Sequence, residues 1–264
     1  MSSAERALLT AVAQYPNLVV AFSGGVDSAL LAVAARKALG HHGVHAVTAD
    51  SASLSKGEAD HCATLADEWD IAWSAVLTTE FNDERYIQNT GDRCFWCKSA
   101  LMDALEPMAK FSGGSVALGV NVDDLGDHRP GQDAARQRGA VFPLVDAGLD
   151  KAAVRSVARA WGISVWDRPA MPCLSSRIPY GTNVSVSLVT KIDRAEHALR
   201  NLGFGDVRVR HYSDTARIEV PVSQLGKAIH LAEAIETAVK ACGYAYVTLD
   251  LAGLRSGNLN NALN

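Results

Sequence analysis

The chain is 264 residues long, 48% hydrophobic and 20% charged, and its formal net charge at pH 7 is -4. That length holds one large domain or two ordinary ones with an ample core, and 25 basic against 29 acidic side chains give no general attraction to a polyanion. No apolar run approaches the ~20 residues needed to cross a bilayer, and the opening MSSAERALLTAVAQYPN lacks the basic-then-apolar layout of an export signal; the expectation is cytoplasmic, with a small-molecule partner, no nucleic acid and no membrane.

Ser3 to Gln14 reads as a leading helix with an apolar face at Leu8, Leu9 and Val12. Leu18 to Phe22 is a short branched apolar run, the pattern of a strand buried on both faces. Ser23, Gly24 and Gly25 then supply small residues where backbone amides must approach a ligand, and Val26, Ala29, Leu30, Val33 and Ala34 recur at helical spacing. A strand, a glycine turn and a helix in this order make an anion-binding concavity. No lysine follows the second glycine, so this is neither the common phosphate loop nor a dinucleotide fingerprint.

His41 to His45 reads as a solvated loop between Gly40 and a second strand, His45 to Ala49, with Asp50, Ser51 and Ser53 at its carboxyl end. In a doubly wound sheet that end is where ligands bind. Ser55 to Trp69 is a helix whose Ser55 and Glu58 match the capping-box pattern, and Ile71 to Leu77 is a third strand. Cys94 and Cys97 form a CxxC just before a helix from Lys98 to Lys110, either a redox pair or half of a metal site. Beyond a fourth strand, Ser115 to Val120, the residues Asn121, Asp123, Asp124, Asp127, His128 and Arg129 form either a phosphate and magnesium site or an ordinary capped loop.

Short helices follow at Gln132 to Gly139 and Asp150 to Gly162, and then a proline-rich irregular stretch that carries Cys173, Ser175, Ser176 and Arg177. From Ser185 the pattern becomes helix, two strands, helix, strand, a near-neutral α+β module of a type used for self-association. Its strand DVRVRHY places Arg208 and Arg210 on one side, two guanidinium forks for one phosphate or a solvated basic face. Five cysteines in a chain with no export signal argue against a disulfide framework. Cys62 and Cys242 fall in helical patterns and read as small hydrophobes. Cys94, Cys97 and Cys173 are one thiol short of a closed structural site, which leaves room for an exogenous ligand on a cluster; the competing reading is a structural zinc.

SGGVDS resembles the pyrophosphate loop (PP-loop) of the ATP pyrophosphatases, which cleave ATP between its α and β phosphates. Together with DRCFWCK, LGVNVDDLGDHRPG, PCLSSRIPYGT and VRVRHYSDTARIEV it resembles the LarE-type sulfurtransferases. The resemblance implies a doubly wound parallel α/β sheet of the adenine nucleotide alpha hydrolase type over residues 1–184 and a smaller α+β domain, for oligomerisation and substrate-phosphate binding, over 185–264. It implies ATP and Mg2+ held by Ser23, Gly24, Gly25, Asp27 and Ser28, with Asp27 orienting the loop or binding magnesium. Adenine then lies near Thr48, the ribose beside Ser51 or Ser53, and Gly119, Asp124 and Arg129 complete the nucleotide site. The substrate phosphate is assigned to Ser176, Arg177, Arg208 and Arg210 with Glu219 and Glu196 nearby, in a homo-oligomer, a trimer or a hexamer. Cys94, Cys97 and Cys173 are expected to converge on a 4Fe-4S cluster that carries sulfide from a donor. The activity implied is adenylation of a carboxylate of pyridinium-3,5-biscarboxylic acid mononucleotide and replacement of oxygen by sulfur, for a nickel-pincer nucleotide cofactor. Rival readings are a PP-loop tRNA thiolation enzyme, an ammonia-dependent synthetase of the NAD or GMP synthetase kind, and a carrier without turnover.

Overall fold

The computed structural model describes residues 1–126, 130–169 and 171–255. In chain order its helices and strands are α1 (Ser3–Val12), β1 (Leu18–Ala21), α2 (Val26–Leu39), β2 (Val44–Asp50), α3 (Glu58–Glu68), β3 (Ala72–Leu77), α4 (Glu84–Ile87), α5 (Arg93–Ser112) and β4 (Ser115–Leu118). They continue with α6 (Pro130–Gln137), α7 (Pro143–Asp146), α8 (Lys151–Ala160), α9 (Val186–Asn201), β5 (Arg208–Tyr212), β6 (Thr215–Glu219), α10 (Leu225–His230), α11 (Ala232–Lys240) and β7 (Tyr246–Leu249). The chain divides into two units, Met1–Glu80 with Asp92–Met171, and Phe81–Gly91 with the chain from Pro172 onward.

In the first unit four parallel strands lie in the order β3-β2-β1-β4. Alternation along β1 sends Leu18 and Val20 into a core with α2, α3 and α8, and Val19 into a second core with Leu101, Met102 and Leu105 of α5. The expected doubly wound α/β architecture is therefore present, and its strand order reverses between β1 and β4. Crevices at such reversals, beyond the carboxyl ends of the strands, are where open α/β sheets bind ligands. The second unit holds a three-stranded sheet, β5-β6-β7, with β5 antiparallel and β7 parallel to β6. Its core joins Ala195 and Leu199 of α9 to Phe204, Val209, Ile218 and Val239.

Three expectations change. The helix expected from Ser55 starts at Glu58 behind Gly57, a left-handed residue at φ 86°. Gly57 is the N-cap, so Glu58 is the first helical residue rather than the third that a capping box needs, and its carboxylate meets Arg168 instead. The CxxC lies inside α5, at its second and fifth residues, rather than ahead of the helix. The long C-terminal helix is broken at Leu231, which caps α10 at one end and α11 at the other. No helix among the described residues is long and apolar enough to cross a membrane.

Candidate functional site

The turn between β1 and α2 is held by its own side chains. Ser23 N donates to Ser28 Oγ at 3.2 Å, the two hydroxyls are 3.2 Å apart, and Ser28 Oγ donates to Gly25 O at 3.0 Å. Gly24 sits at φ +69°, a region that a side chain disfavours, and a Cβ there would also come 3.0 Å from Cys62 Sγ. Asp27 in the first turn of α2 accepts from Asn121 Nδ2 at 3.0 Å on one oxygen and is ion-paired with Lys151 Nζ on the other. Both oxygens of this carboxylate are thus engaged, by Asn121 and Lys151.

The exit of β4 closes the other wall. Because Ala21 is in register with Leu118, Gly119 emerges beside the loop, and a Cβ on it would lie 2.6 Å from Ser28 N and 2.8 Å from Asp27 C. Those are backbone atoms that cannot swing aside. Gly119→Ala is therefore expected to cost about 1–3 kcal/mol in denaturant unfolding, the usual penalty of overpacking, and to weaken ATP in a calorimetric titration. Asn121 is buried; its backbone N–H donates to Asp124 Oδ2 at 3.1 Å, while its Oδ1 accepts from Asp123 N. Asp123 Oδ2 in turn accepts from Lys151 N at 2.9 Å. Among the described residues of the acidic cluster beyond β4, Asp124 accepts from the backbone of Asn121 and Asp123 from that of Lys151, which links both partners of Asp27 to this turn. Arg129, expected at the same site, lies outside the described residues.

At the carboxyl end of β2, Thr48 Oγ1 donates to Phe22 O at 2.8 Å and accepts from Trp73 Nε1 at 2.9 Å, which ties β2 to β1 and β3. Ser53 is buried, with its Oγ 2.9 Å from Ser51 Oγ, and Ser51 donates to the buried Glu80. Two cations that sequence reasoning missed stand beside the loop. Lys151 is the first residue of α8, and Arg168 follows that helix; Arg168 Nη1 donates to Gly24 O at 3.3 Å. Neither sits in a motif, and their partners are up to 144 residues away in sequence. The structure also holds a cavity of about 490 Å³ between Leu18, Val44 and Phe111, at the amino ends of β1 and β2; none of the expected site residues lines it.

In the second unit a single 3-10 turn, Leu174–Arg177, carries the expected polar residues. Arg177 is buried and ties that turn together: its Nη1 donates to Pro172 O at 2.6 Å, Cys173 O at 3.2 Å and Ser176 Oγ at 3.0 Å. Its other face meets Glu196, Nε to Oε1 at 2.8 Å and Nη2 to Oε2 at 3.2 Å. Glu196 is 0% exposed and also accepts from Arg200 Nη2 and Val209 N. Glu219, equally buried, accepts from Arg210 Nε and Nη2 at 3.0 and 2.9 Å and from Arg217. Arg210 Nη1 donates to Ser176 O at 2.7 Å.

Arg208 differs from its neighbours. It is 9% exposed, its one hydrogen bond runs to Arg255 O at 3.3 Å, and no carboxylate pairs with it among the described residues. Burial first, and then the charges of Arg177 and Arg210, push its basicity below the ordinary guanidinium range. Two buried carboxylates are thus surrounded by more guanidinium than they neutralise, and the excess falls on Arg208. An anion with several acceptor oxygens relieves that imbalance.

Among the described residues no group of three or more His, Cys, Asp or Glu side chains is gathered to hold a metal ion. Cys94 is exposed and Cys97 half-buried at the start of α5 in the first unit, and Cys173 is exposed in the second. Cys62 is fully buried in the core of the first unit, where burial pushes its thiol up, and Cys242 is half-buried.

Residues 6–88 match a family model described as NAD synthase. An uncharacterized protein of Synechocystis sp. is 43% identical over 249 residues, which is 93% of this chain and 92% of the relative. Pyridinium-3,5-bisthiocarboxylic acid mononucleotide synthase of Lactiplantibacillus plantarum is 34% identical over 264 residues, covering 100% of this chain and 96% of the relative. An uncharacterized protein of Methanocaldococcus jannaschii is 27% identical over 248 residues, 91% of each. Likeness of that extent, on a parallel sheet whose SGGVDS loop sits where the strand order reverses, decides the assignment: the chain belongs to the LarE-type family of PP-loop enzymes, that of the pyridinium-3,5-bisthiocarboxylic acid mononucleotide synthases.

Proposed function

We propose that the chain is an ATP-dependent sulfurtransferase acting on pyridinium-3,5-biscarboxylic acid mononucleotide. A carboxylate oxygen of the nucleotide attacks the α phosphorus of ATP, the bond to the bridging oxygen breaks, and its electron pair leaves with pyrophosphate. A sulfur nucleophile then adds to the acyl carbon, AMP departs, and a thiocarboxylate remains. The observation that carries this reading is the built loop at the strand reversal, with Ser23, Gly24, Gly25 and Ser28 around an anion cradle and Asp27 fixed by Lys151 and Asn121. ATP enters as its magnesium complex, with adenine near Thr48, ribose near Ser53, and Gly119 and Asp124 beyond β4; Arg129, outside the described residues, is assigned to the same site.

The nucleotide's phosphate is assigned to Arg208, with Ser176, Arg177 and Arg210 beside it; Glu196 and Glu219 hold the arginines in place. Cys94, Cys97 and Cys173 are proposed as ligands of a 4Fe-4S cluster, supported by their number, their CxxC spacing and the exposure of Cys94 and Cys173. Such a cluster, with three protein ligands, supplies an open iron position for sulfide from a donor. Assembly into a trimer or hexamer through the C-terminal module and a cytoplasmic setting belong to the same proposal. The NAD synthase match favours a second reading, an ammonia-dependent synthetase, but it stops at residue 88, ahead of all three cysteines.

Incubation with ATP, magnesium, a sulfide source and the bis-carboxylate nucleotide, followed by mass spectrometry, is expected to show a thiocarboxylate, and an amide formed with ammonia instead would install the second reading. Iron and acid-labile sulfide are expected after anaerobic purification; stoichiometric zinc without iron overturns the cluster. Arg208→Glu is expected to raise the nucleotide's KM at least about 30-fold, the loss of one charge-assisted hydrogen bond of ~2 kcal/mol, with ATP affinity unchanged. Loss of both affinities refutes the phosphate assignment.

A further inference from the structure

Arg168 stands against the pyrophosphate loop on a rigid base. Ile163 and Val165 ahead of it are buried in the core of the first unit, and Arg168 N donates to Val165 O at 3.2 Å. Its guanidinium lies along the loop: Nη1 donates to Gly24 O at 3.3 Å and would be 3.5 Å from a Cβ on Gly24. Nη2 meets both oxygens of Glu58, the first residue of α3, at 2.8 and 3.0 Å. Both side chains keep a foothold in solvent, 22% exposed for Arg168 and 16% for Glu58. Nε has no partner among the described residues, so a guanidinium with five donors keeps some for a ligand.

A second polar group faces the same glycine. His61 Cδ2 would be 3.5 Å from a Cβ on Gly24, and His61 Nε2 is buried with no hydrogen-bond partner among the described residues. On the other side of the loop Lys151 is committed to Asp27, so Arg168 is the cation whose anionic partner, Glu58, is not itself part of the loop.

We propose that Arg168 is a pyrophosphate-binding residue, which Glu58 holds at the loop before ATP arrives and which then donates to the non-bridging oxygens of the leaving group. Pyrophosphate gains a charge when the bond between the α phosphorus and the bridging oxygen breaks, and a guanidinium already in place stabilises that charge as it forms, without reorganisation. The inference rests on the adenylating reading above and adds a residue that no motif announces. The two cations then differ in what they do, Lys151 orienting Asp27 and Arg168 meeting the phosphates.

Calorimetric titration of the full-length protein with magnesium pyrophosphate and, separately, with AMP tests it. Arg168→Gln is expected to weaken pyrophosphate about 10- to 100-fold, the range of one or two charge-assisted hydrogen bonds, with AMP affinity within twofold. Arg168→Lys, which keeps the charge, is expected to recover part of the loss, and Glu58→Gln, which loosens the hold on Arg168, to weaken pyrophosphate by less than Arg168→Gln does; Glu58→Gln at parental affinity overturns the holding role. Equal weakening of pyrophosphate and AMP in Arg168→Gln, or pyrophosphate affinity unchanged by it, overturns the assignment. A parent protein that binds neither ATP nor pyrophosphate overturns the adenylating reading instead, and the two failures are told apart by that control.

Discussion

Replacing Cys173 with alanine is expected to leave nucleotide-dependent pyrophosphate release within about threefold of the parent while thiocarboxylate formation falls at least about 1000-fold, the scale of losing a reacting nucleophile. The two steps draw on different parts of the chain. On the proposed reading, activation draws on the loop from Ser23 to Ser28 in the first unit, whereas the Cys173 thiol sits in the second unit on a turn tied by Arg177. Cys94→Ala and Cys97→Ala sharpen the result. Residues that act as one assembly lose function together rather than additively, so a cluster requires each single replacement to abolish sulfur transfer as Cys173→Ala does. Cys94→Ala with full multiple-turnover activity overturns the cluster, and dehydroalanine at position 173 after a single turnover shows a sacrificed cysteine in its place. Pyrophosphate release that vanishes with Cys173 contradicts the separation of steps.

Glu196→Ala should be the most damaging change in the second unit. The carboxylate is 0% exposed and accepts from Arg177, Arg200 and the backbone of Val209. Removing one partner of a buried ion pair strands the other charge and costs about 3–5 kcal/mol. Urea unfolding read from the C-terminal unit, and amide exchange at Val209 accelerated about 100- to 1000-fold, report the loss. Arg177 also loses the grip that aims it at the carbonyls of Pro172 and Cys173, so sulfur transfer should fall further than pyrophosphate release does. The double replacement Glu196→Leu with Arg177→Met removes both charges and should be milder than Glu196→Ala alone, because matched apolar residues can substitute for a buried pair. A single variant as stable as the parent would contradict this account.

What could be read from the residues was whatever short-range periodicity encodes. The β1 strand, its glycine turn and α2 were legible because Leu18 to Ala21 and Val26 to Leu39 carry their burial in their own pattern. The start of α3 was misplaced because Ser55 and Glu58 have capping-box spacing while the chain turns at Gly57, whose left-handed backbone that spacing does not announce. The break at Leu231 was hidden because the apolar spacing runs on through it. At the site, the loop serines and Asp27 were visible as a motif, while Lys151 and Arg168 were not, since a lone basic residue in a helical or proline-rich stretch has no signature. Arg208 and Arg210 were read as two equal forks. The structure separates them, with Arg210 bound to Glu219 and Arg208 without a carboxylate among the described residues. Glu219, expected beside the phosphate, accepts from Arg210 and Arg217.

The excursion from Phe81 to Gly91 has a consequence for synthesis on the ribosome. Asn89 is wholly buried at φ 53°, with its amide on the carbonyls of Pro179 and Thr182 at 2.8 and 2.9 Å, and the Tyr86 hydroxyl meets Ser175 at 2.7 Å. These partners are 89 to 93 residues downstream, which at about 5–20 residues per second of translation means a wait on the order of 5 to 20 s. Until then the Tyr86 hydroxyl lacks Ser175 and the Asn89 amide lacks Pro179 and Thr182, and a premature stop codon ahead of Ser175 withholds these contacts permanently. This segment is where chaperones and proteases should first engage the nascent polypeptide.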